Sequence, residues 1–220
     1  LERKNAEPLR IIDFGCGKSY LTFVLYHYLV NILGIRVSMT GLDLKADVIA
    51  KCTDAAKRYG YDSLKFERGD IAEYDANAPA DMVVTLHACD TATDYALHNA
   101  VCRGARMILS VPCCQHELNG QIASDKLKLI TRYGIIKERF AALMTDAIRA
   151  NLLESRGYKT QVLEFVDLSH TPKNLLIRAI KKRPALDNAG RIALDEAKAL
   201  MEEFSLEPTL YSLLYPHSAD

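Results

Sequence analysis

Residues 11–19, Ile-Ile-Asp-Phe-Gly-Cys-Gly-Lys-Ser, constrain the fold more than any other stretch of this chain. A β-branched run ends in an acid, a Gly-x-Gly turn follows, and then a long apolar segment. That order describes a strand feeding a tight loop and then a helix. The junction offers backbone N–H groups and a helix N-terminus to whatever lies above the sheet, and small ligands bind at that edge in open α/β folds. Two nucleotide-binding loops are excluded. A phosphate-binding P-loop needs a glycine five positions before Gly17, where the chain has Ile12. The dinucleotide fingerprint needs a third glycine where the chain has Tyr20, a side chain expected to crowd helix against strand.

The rest of the chain repeats the strand–helix alternation. Strands are predicted at Leu9–Phe14, Arg36–Leu42, Leu64–Arg68, Asp81–Leu86 and Met107–Val111, with helices at Tyr20–Leu33, Asp47–Tyr59 and Thr91–Cys102 between them. A long amphipathic helix is predicted over Lys137–Arg156, then a hairpin of Gln161–Val166 and Leu175–Ile180, then a helix over Asn188–Phe204 with Asp187 as N-cap. Pro208–Leu214 reads as a short helical or irregular tail. Alternation of this kind predicts an α/β fold of Rossmann-like, doubly wound type. Its sheet is seven-stranded and mostly parallel, with a closing antiparallel strand and helices on both faces. Residues 1–183 are expected to form one domain, with 184–220 a C-terminal helical appendage of it. The chain opens at Leu1 without Met, so it is expected to be a fragment lacking an upstream segment.

Composition enters through what it excludes. The longest apolar stretch, Tyr20 to Leu33, is broken by His27 and Asn31 and falls short of the roughly 20 residues a membrane span needs. No signal peptide opens the chain, and the six cysteines sit mostly at strand ends, two of them adjacent. That pattern suits reduced thiols in a cytoplasmic protein. Net charge is zero, yet residues 125–183 carry 13 basic and 6 acidic groups, a net +7 segment able to attract a polyanion such as RNA. Nothing in the sequence reads out an oligomeric state.

In a parallel sheet the C-terminal strand ends share one edge. Strand one brings Asp13, Gly15, Cys16 and Gly17 there, and strand two brings Asp43 and Leu44. Strand three brings Asp70 and Ile71, strand four His87, Cys89 and Asp90, and strand five Cys113, Cys114 and His116. An acid after strand two lies where a ribose presents two vicinal hydroxyls, both of which a carboxylate can accept from. Asp70-Ile71 offers an acceptor for an exocyclic amine and an apolar wall for an adenine ring.

The order acid, Gly-x-Gly, acid, acid resembles the class I S-adenosylmethionine-dependent methyltransferases over roughly residues 9–183. The resemblance implies that Asp13–Gly17 holds the methionine end of S-adenosyl-L-methionine, that Asp43 binds the ribose, and that Asp70-Ile71 contacts adenine, with Leu44 and His87 also at the cofactor. Two segments narrow it: Leu86-His87-Ala88-Cys89-Asp90-Thr91-Ala92-Thr93-Asp94 and Val111-Pro112-Cys113-Cys114-Gln115-His116-Glu117-Leu118. They look like a subgroup related to tRNA ribose 2′-O-methyltransferases. The first is similar to a His-Leu-Cys-Gly-x-Ala-Thr-Asp motif, with Ala88 and Asp90 standing where that motif has Leu and Gly. The Asn/Asp-Pro-Pro-Tyr motif of many adenine-N6 methyltransferases is missing from the sequence.

The reading that follows is a methyltransferase acting on RNA. A protein or small-molecule methyltransferase and a catalytically silent cofactor-binding scaffold are the alternatives. His87 is the first candidate for a general base, since imidazole titrates near neutrality, and it equally suits a hydrogen bond to the cofactor. Asp90 and His116 are the next candidates. Adjacent cysteines rarely chelate one tetrahedral ion, so Cys113 and Cys114 read as polarizable pocket wall and no metal is expected. Arg139, Asp146 and Arg149 share a stripe off the apolar face of the long helix. That stripe reads either as a wall for an anionic substrate or as a solvated face with an intrahelical ion pair. The loop Ser169–Asn174 is expected beside the same edge.

Overall fold

The computed structural model describes residues 7–74, 78–86, 88–164 and 175–216. Strand β1 (Leu9–Phe14) leads through the glycine loop into helix α1 (Tyr20–His27). Next come β2 (Val37–Asp43), α2 (Ala46–Tyr59), β3 (Leu64–Arg68), β4 (Met82–Thr85), α3 (Thr91–Cys102) and β5 (Met107–Ser110). Short helices α4 (His116–Gln121) and α5 (Lys128–Thr131) precede the 22-residue α6 (Gly134–Ser155). Strands β6 (Tyr158–Glu164) and β7 (Leu175–Lys181), then α7 (Asn188–Phe204) and α8 (Thr209–Leu214), complete the order.

The strands form one seven-stranded sheet in the order β3-β2-β1-β4-β5-β7-β6. β1 to β5 pair in parallel, while β7 runs antiparallel to both β5 and β6. Six strands therefore share a direction and β7 opposes them, as the alternation predicts. The connection between β6 and β7, with the Ser169–Asn174 loop, lies outside the described residues. Among the described residues no helix is long and apolar enough to cross a membrane.

Strand periodicity divides the core. In β1, Leu9 and Ile11 pack with Tyr26, Leu29 and Ala56 on one face, and Ile12 and Phe14 pack with Leu97, Ile148 and Leu152 on the other. Leu194, Met201, Leu210 and Leu214, from α7 and α8, join that second, larger cluster.

Two expectations are corrected. The predicted helix over Tyr20–Leu33 is α-helical only to His27 and then widens into a π-turn over Tyr28–Ile32. There Leu33 N–H donates to Tyr28 O, five residues back, at 2.9 Å, which leaves Leu29 in the core and turns Ile32 and Leu33 outward. The solvated or substrate-facing stripe on α6 does not exist as read. Asp146 and Arg149 are 3% and 2% exposed, and only Arg139 of the three faces solvent. Both side chains are tied to partners outside the helix, Asp146 to Gln115 and Arg149 to Asp94 of α3. Arg149 grips Asp94 with Nε at 2.9 Å and Nη2 at 2.7 Å, donates to Asp146 Oδ1 at 3.3 Å, and reaches the Asp90 carbonyl at 3.0 Å.

Candidate cofactor cavity

The glycine loop is built from left-handed backbone. Gly15 and Gly17 have φ of 66° and 53°, and Ser19 has 58°. At the two glycines no Cβ stands between the backbone and a ligand approaching from above. Ser19 is buried, and its backbone oxygen accepts from Phe23 N–H to start α1. Tyr20, expected to crowd the helix against the strand, begins that helix with its ring swung out, 74% exposed.

A cavity of about 650 Å³ opens over the ends of β1 to β4, within the range of roughly 300–1,000 Å³ usual for small-ligand sites. Gly15, Gly17 and Tyr20 line one side, Asp43, Leu44 and Val48 the next, Gly69 and Ile71 the third, and Ala88, Cys89 and Ala92 the last. Asp43 sits at the centre of the loop architecture. Its Oδ2 accepts from Gly17 N–H at 2.9 Å and its Oδ1 from Lys45 N–H at 2.9 Å. Those bonds fix the carboxylate at the cavity wall. Asp70 is exposed, with Oδ1 accepting from Ala72 N–H at 2.9 Å.

Five of the residues expected to bind cofactor therefore line one cavity: Gly15, Gly17, Asp43, Leu44 and Ile71. Asp13 and Cys16 are not on it. Asp13 is turned beneath α1, where Oδ2 accepts from the Thr22 hydroxyl and Oδ1 is buried with no partner among the described residues. Burial is the main reason its carboxyl is pushed up to about 7; the Thr22 bond opposes the shift and the Asp43 charge adds to it. Cys16 is buried under the loop, and burial pushes its thiol up to about 12. Tyr20, Val48, Gly69 and Ala92 line the cavity without having been expected to bind cofactor. Their signal in the sequence is position alone, at or just beyond a strand end or in the first turn of the helix that follows.

His87 lies outside the described residues. Asp90 has φ 53° and ψ −125°, a conformation that glycine adopts readily and that explains why the similar motif has glycine at this position. Its Oδ1 accepts from His116 N–H at 2.8 Å and Glu117 N–H at 3.1 Å, so Asp90 caps α4 from 26 residues away. The His116 ring is exposed. Glu117 binds the start of α8 through Thr209 N–H, and burial raises its carboxyl against the Thr209 donors. The thiols of Cys89 and Cys113 lie 3.2 Å apart and those of Cys113 and Cys114 3.4 Å apart. Burial, with these two neighbours, pushes Cys113 up to about 12.

A methyltransferase-domain family model matches residues 1–121, more than half of the chain, and covers the loop, the cavity walls and α4. The chain belongs to this methyltransferase family. Solved structures agree on the fold of the methyltransferase domain. An rRNA methylase from Streptococcus thermophilus matches with a TM-score of 0.52 at 14% identity, over 80% of this chain and 88% of its own. The 23S rRNA methyltransferase ErmE matches at 0.50 and 12% identity, over 89% and 69%. The CMeT domain of the citrinin polyketide synthase matches at 0.50 and 19% identity, over 81% of this chain; the chain spans about half of that protein's length. No curated protein matches the chain.

The residues of this methyltransferase domain fit an adenosyl cofactor. The glycine backbone permits close approach, Asp43 offers carboxylate oxygens at the wall, and Leu44, Val48 and Ile71 supply apolar surface for a ring.

Proposed function

We propose that this domain uses S-adenosyl-L-methionine to methylate RNA, in the manner of the tRNA ribose 2′-O-methyltransferase subgroup whose motifs it resembles. The observation that carries the cofactor is the Asp43 carboxylate, held at the wall of a cavity of about 650 Å³ by the glycine loop itself. When bound, S-adenosyl-L-methionine supplies an electrophilic methyl group on a sulfonium. The protein's task is then alignment of acceptor, methyl and sulfur, and such positioning can supply on the order of 7–11 kcal/mol. Asp43 would orient the ribose, Ile71 and Leu44 would hold the adenine, and the Gly15–Gly17 backbone would face the methionine portion. For a hydroxyl acceptor, His87 and His116 are the candidates to take the proton, and Asp90 holds the turn on which His116 stands.

RNA as acceptor is supported by the net +7 segment over 125–183. Within it Arg132 and Arg139 are exposed, whereas Lys126 pairs with Glu203 and Lys128 with Asp125. Two of the structural neighbours are rRNA methylating enzymes by name. Incubation of the protein with methyl-labelled cofactor and total RNA, protein extract or small metabolites tests the reading. Label is expected in RNA; label only in protein or only in metabolites overturns the RNA assignment.

A further inference from the structure

We propose that Cys89, Cys113 and Cys114 form a three-thiolate zinc site at the edge of the cavity. The topology creates it. β4 and β5 are parallel neighbours with Thr85 opposite Ser110, so the segments leaving their C-terminal ends emerge side by side. Cys89 follows the first strand by four residues and Cys113 the second by three. All three Sγ atoms lie within 4.8 Å of one another.

The adjacent pair is the informative part. In an extended strand, neighbouring side chains point to opposite faces. Beyond Pro112 the backbone turns Cys113 and Cys114 so that their sulfurs meet at 3.4 Å, and Cys89 closes the triangle at 3.2 Å from Cys113. Zinc binds thiolate at about 2.3 Å, which in tetrahedral geometry spaces the sulfurs by roughly 3.8 Å. The two edges at Cys113 need to open by only a few tenths of an ångström, and the third, Cys89 to Cys114, lies within 4.8 Å. Cys113 and Cys114 are half-buried and Cys89 is exposed, so an ion has a way in.

Soft thiolates select zinc over the hard cations. Binding takes one proton from each thiol and passes it to solvent; three thiolates and Zn²⁺ leave a net charge of −1. Among the described residues the group offers three protein ligands, and a three-ligand site leaves its fourth position to water or substrate, in contrast to a closed structural one. Cys89 also lines the cavity, so the ion would border the space proposed for the methyl donor. The His116 ring nitrogens are not part of the group among the described residues.

The test is metal binding, read separately from cofactor binding and turnover. The reduced chain, stripped with a chelator, is titrated with Zn²⁺ against a chromophoric competitor and with Co²⁺ by absorption. One ion per chain is expected, with a thiolate-to-cobalt charge-transfer band. Cys89→Ser and Cys114→Ser are each expected to weaken binding by more than about 100-fold, beyond the loss typical of an outer-shell partner. Cys102→Ser, on α3 outside the triangle, leaves it unchanged. Circular dichroism checks that the variants fold. No bound ion under reducing conditions overturns the site, as does binding indifferent to both Cys89→Ser and Cys114→Ser. Either result leaves the methyl-donor assignment standing, and loss of that assignment leaves the metal stoichiometry standing.

Discussion

The Gly17 N–H donates to Asp43 Oδ2 at 2.9 Å, so the acid that ends β2 holds the loop that follows β1. One carboxylate thereby shapes the glycine turn and presents the face on which a ribose would bind. The loop does not hand all its N–H groups to a ligand; Gly17 gives its own to Asp43.

Asp43→Ala removes both functions. A hydrogen bond to a charged group contributes about 1.5–3 kcal/mol, and each 1.4 kcal/mol is about tenfold in affinity. Affinity for S-adenosyl-L-homocysteine is expected to fall by about 10–100-fold by calorimetry. Asp43→Asn keeps an acceptor for Gly17 N–H and is expected to lose less. Unchanged affinity in Asp43→Ala removes Asp43 from the site.

Ligand-induced stabilisation gives a second prediction. A ligand at 100 times its Kd adds about 2.7 kcal/mol, and each kcal/mol moves Tm by about 2–4 °C in a chain of this size. S-adenosyl-L-methionine or its demethylated product is expected to raise Tm by about 5–10 °C, while NAD and ATP leave it unmoved. An equal rise with NAD sinks the cofactor assignment.

Asp13 predicts a pH dependence. Its folded carboxyl is pushed up to about 7 by burial, above the 3.8 of an unburied aspartate. The folded state therefore holds this proton more tightly than the unfolded state. Asp13's contribution to stability is fully present below about pH 3.8 and is lost as pH rises toward 7. Asp13→Asn cannot ionise, and its amide can still bond the Thr22 hydroxyl. Its stability advantage over the native chain is expected to grow from pH 4 to pH 7, then level off at on the order of 4 kcal/mol. Urea denaturation at pH 5, 6, 7 and 8 reads this directly; a constant offset between the two proteins refutes it.

Periodicity made the sheet legible. The predicted and observed limits coincide for Leu9–Phe14, Leu64–Arg68 and Thr91–Cys102, because each is bounded by turn residues within a few positions. The cavity wall was legible in the same way at Gly15, Gly17, Asp43, Leu44 and Ile71, since parallel strands put their ends at one edge. What escaped depends on partners distant in the chain. Helix α4 is capped by Asp90, 26 residues from His116, so the local sequence signals no helix over His116–Gln121. Asp146 and Arg149 look like a surface pair at i,i+3 because the burying partner, Asp94, is 55 residues from Arg149. Cys89 stands 24 residues from Cys113, so adjacency alone suggested no ligand set.

The Arg149 network predicts a large contribution to stability from the contact it makes between α6 and α3. Arg149→Met leaves Asp94 and Asp146 buried without their guanidinium, a loss of about 3–5 kcal/mol. At about 2–4 °C per kcal/mol, Tm is expected to fall by roughly 10 °C at pH 7. Burial already pushes Asp146 up to about 6, with Arg149 and Gln115 opposing that shift. Without Arg149 it protonates more readily still, so the deficit should shrink at pH 5. A deficit independent of pH refutes the charge-burial account.

Asp90 separates a positioning role from a proton-transfer role. It combines a left-handed φ of 53° with two backbone N–H groups on its Oδ1. Asn, of the same size and shape as Asp, meets the same backbone strain and still presents an oxygen to both donors. Ala loses the cap, at about 0.5–2 kcal/mol. Gly relaxes the backbone but also loses the cap. Asp90→Asn is therefore expected to keep Tm and methyl transfer near native values, with Asp90→Ala the least stable and Asp90→Gly between them. The thermal order reports the cap. The kcat of Asp90→Asn reports the chemistry, since an amide cannot serve as a general base. A collapse of kcat in Asp90→Asn at unchanged Tm would move Asp90 from holding α4 to taking the acceptor's proton.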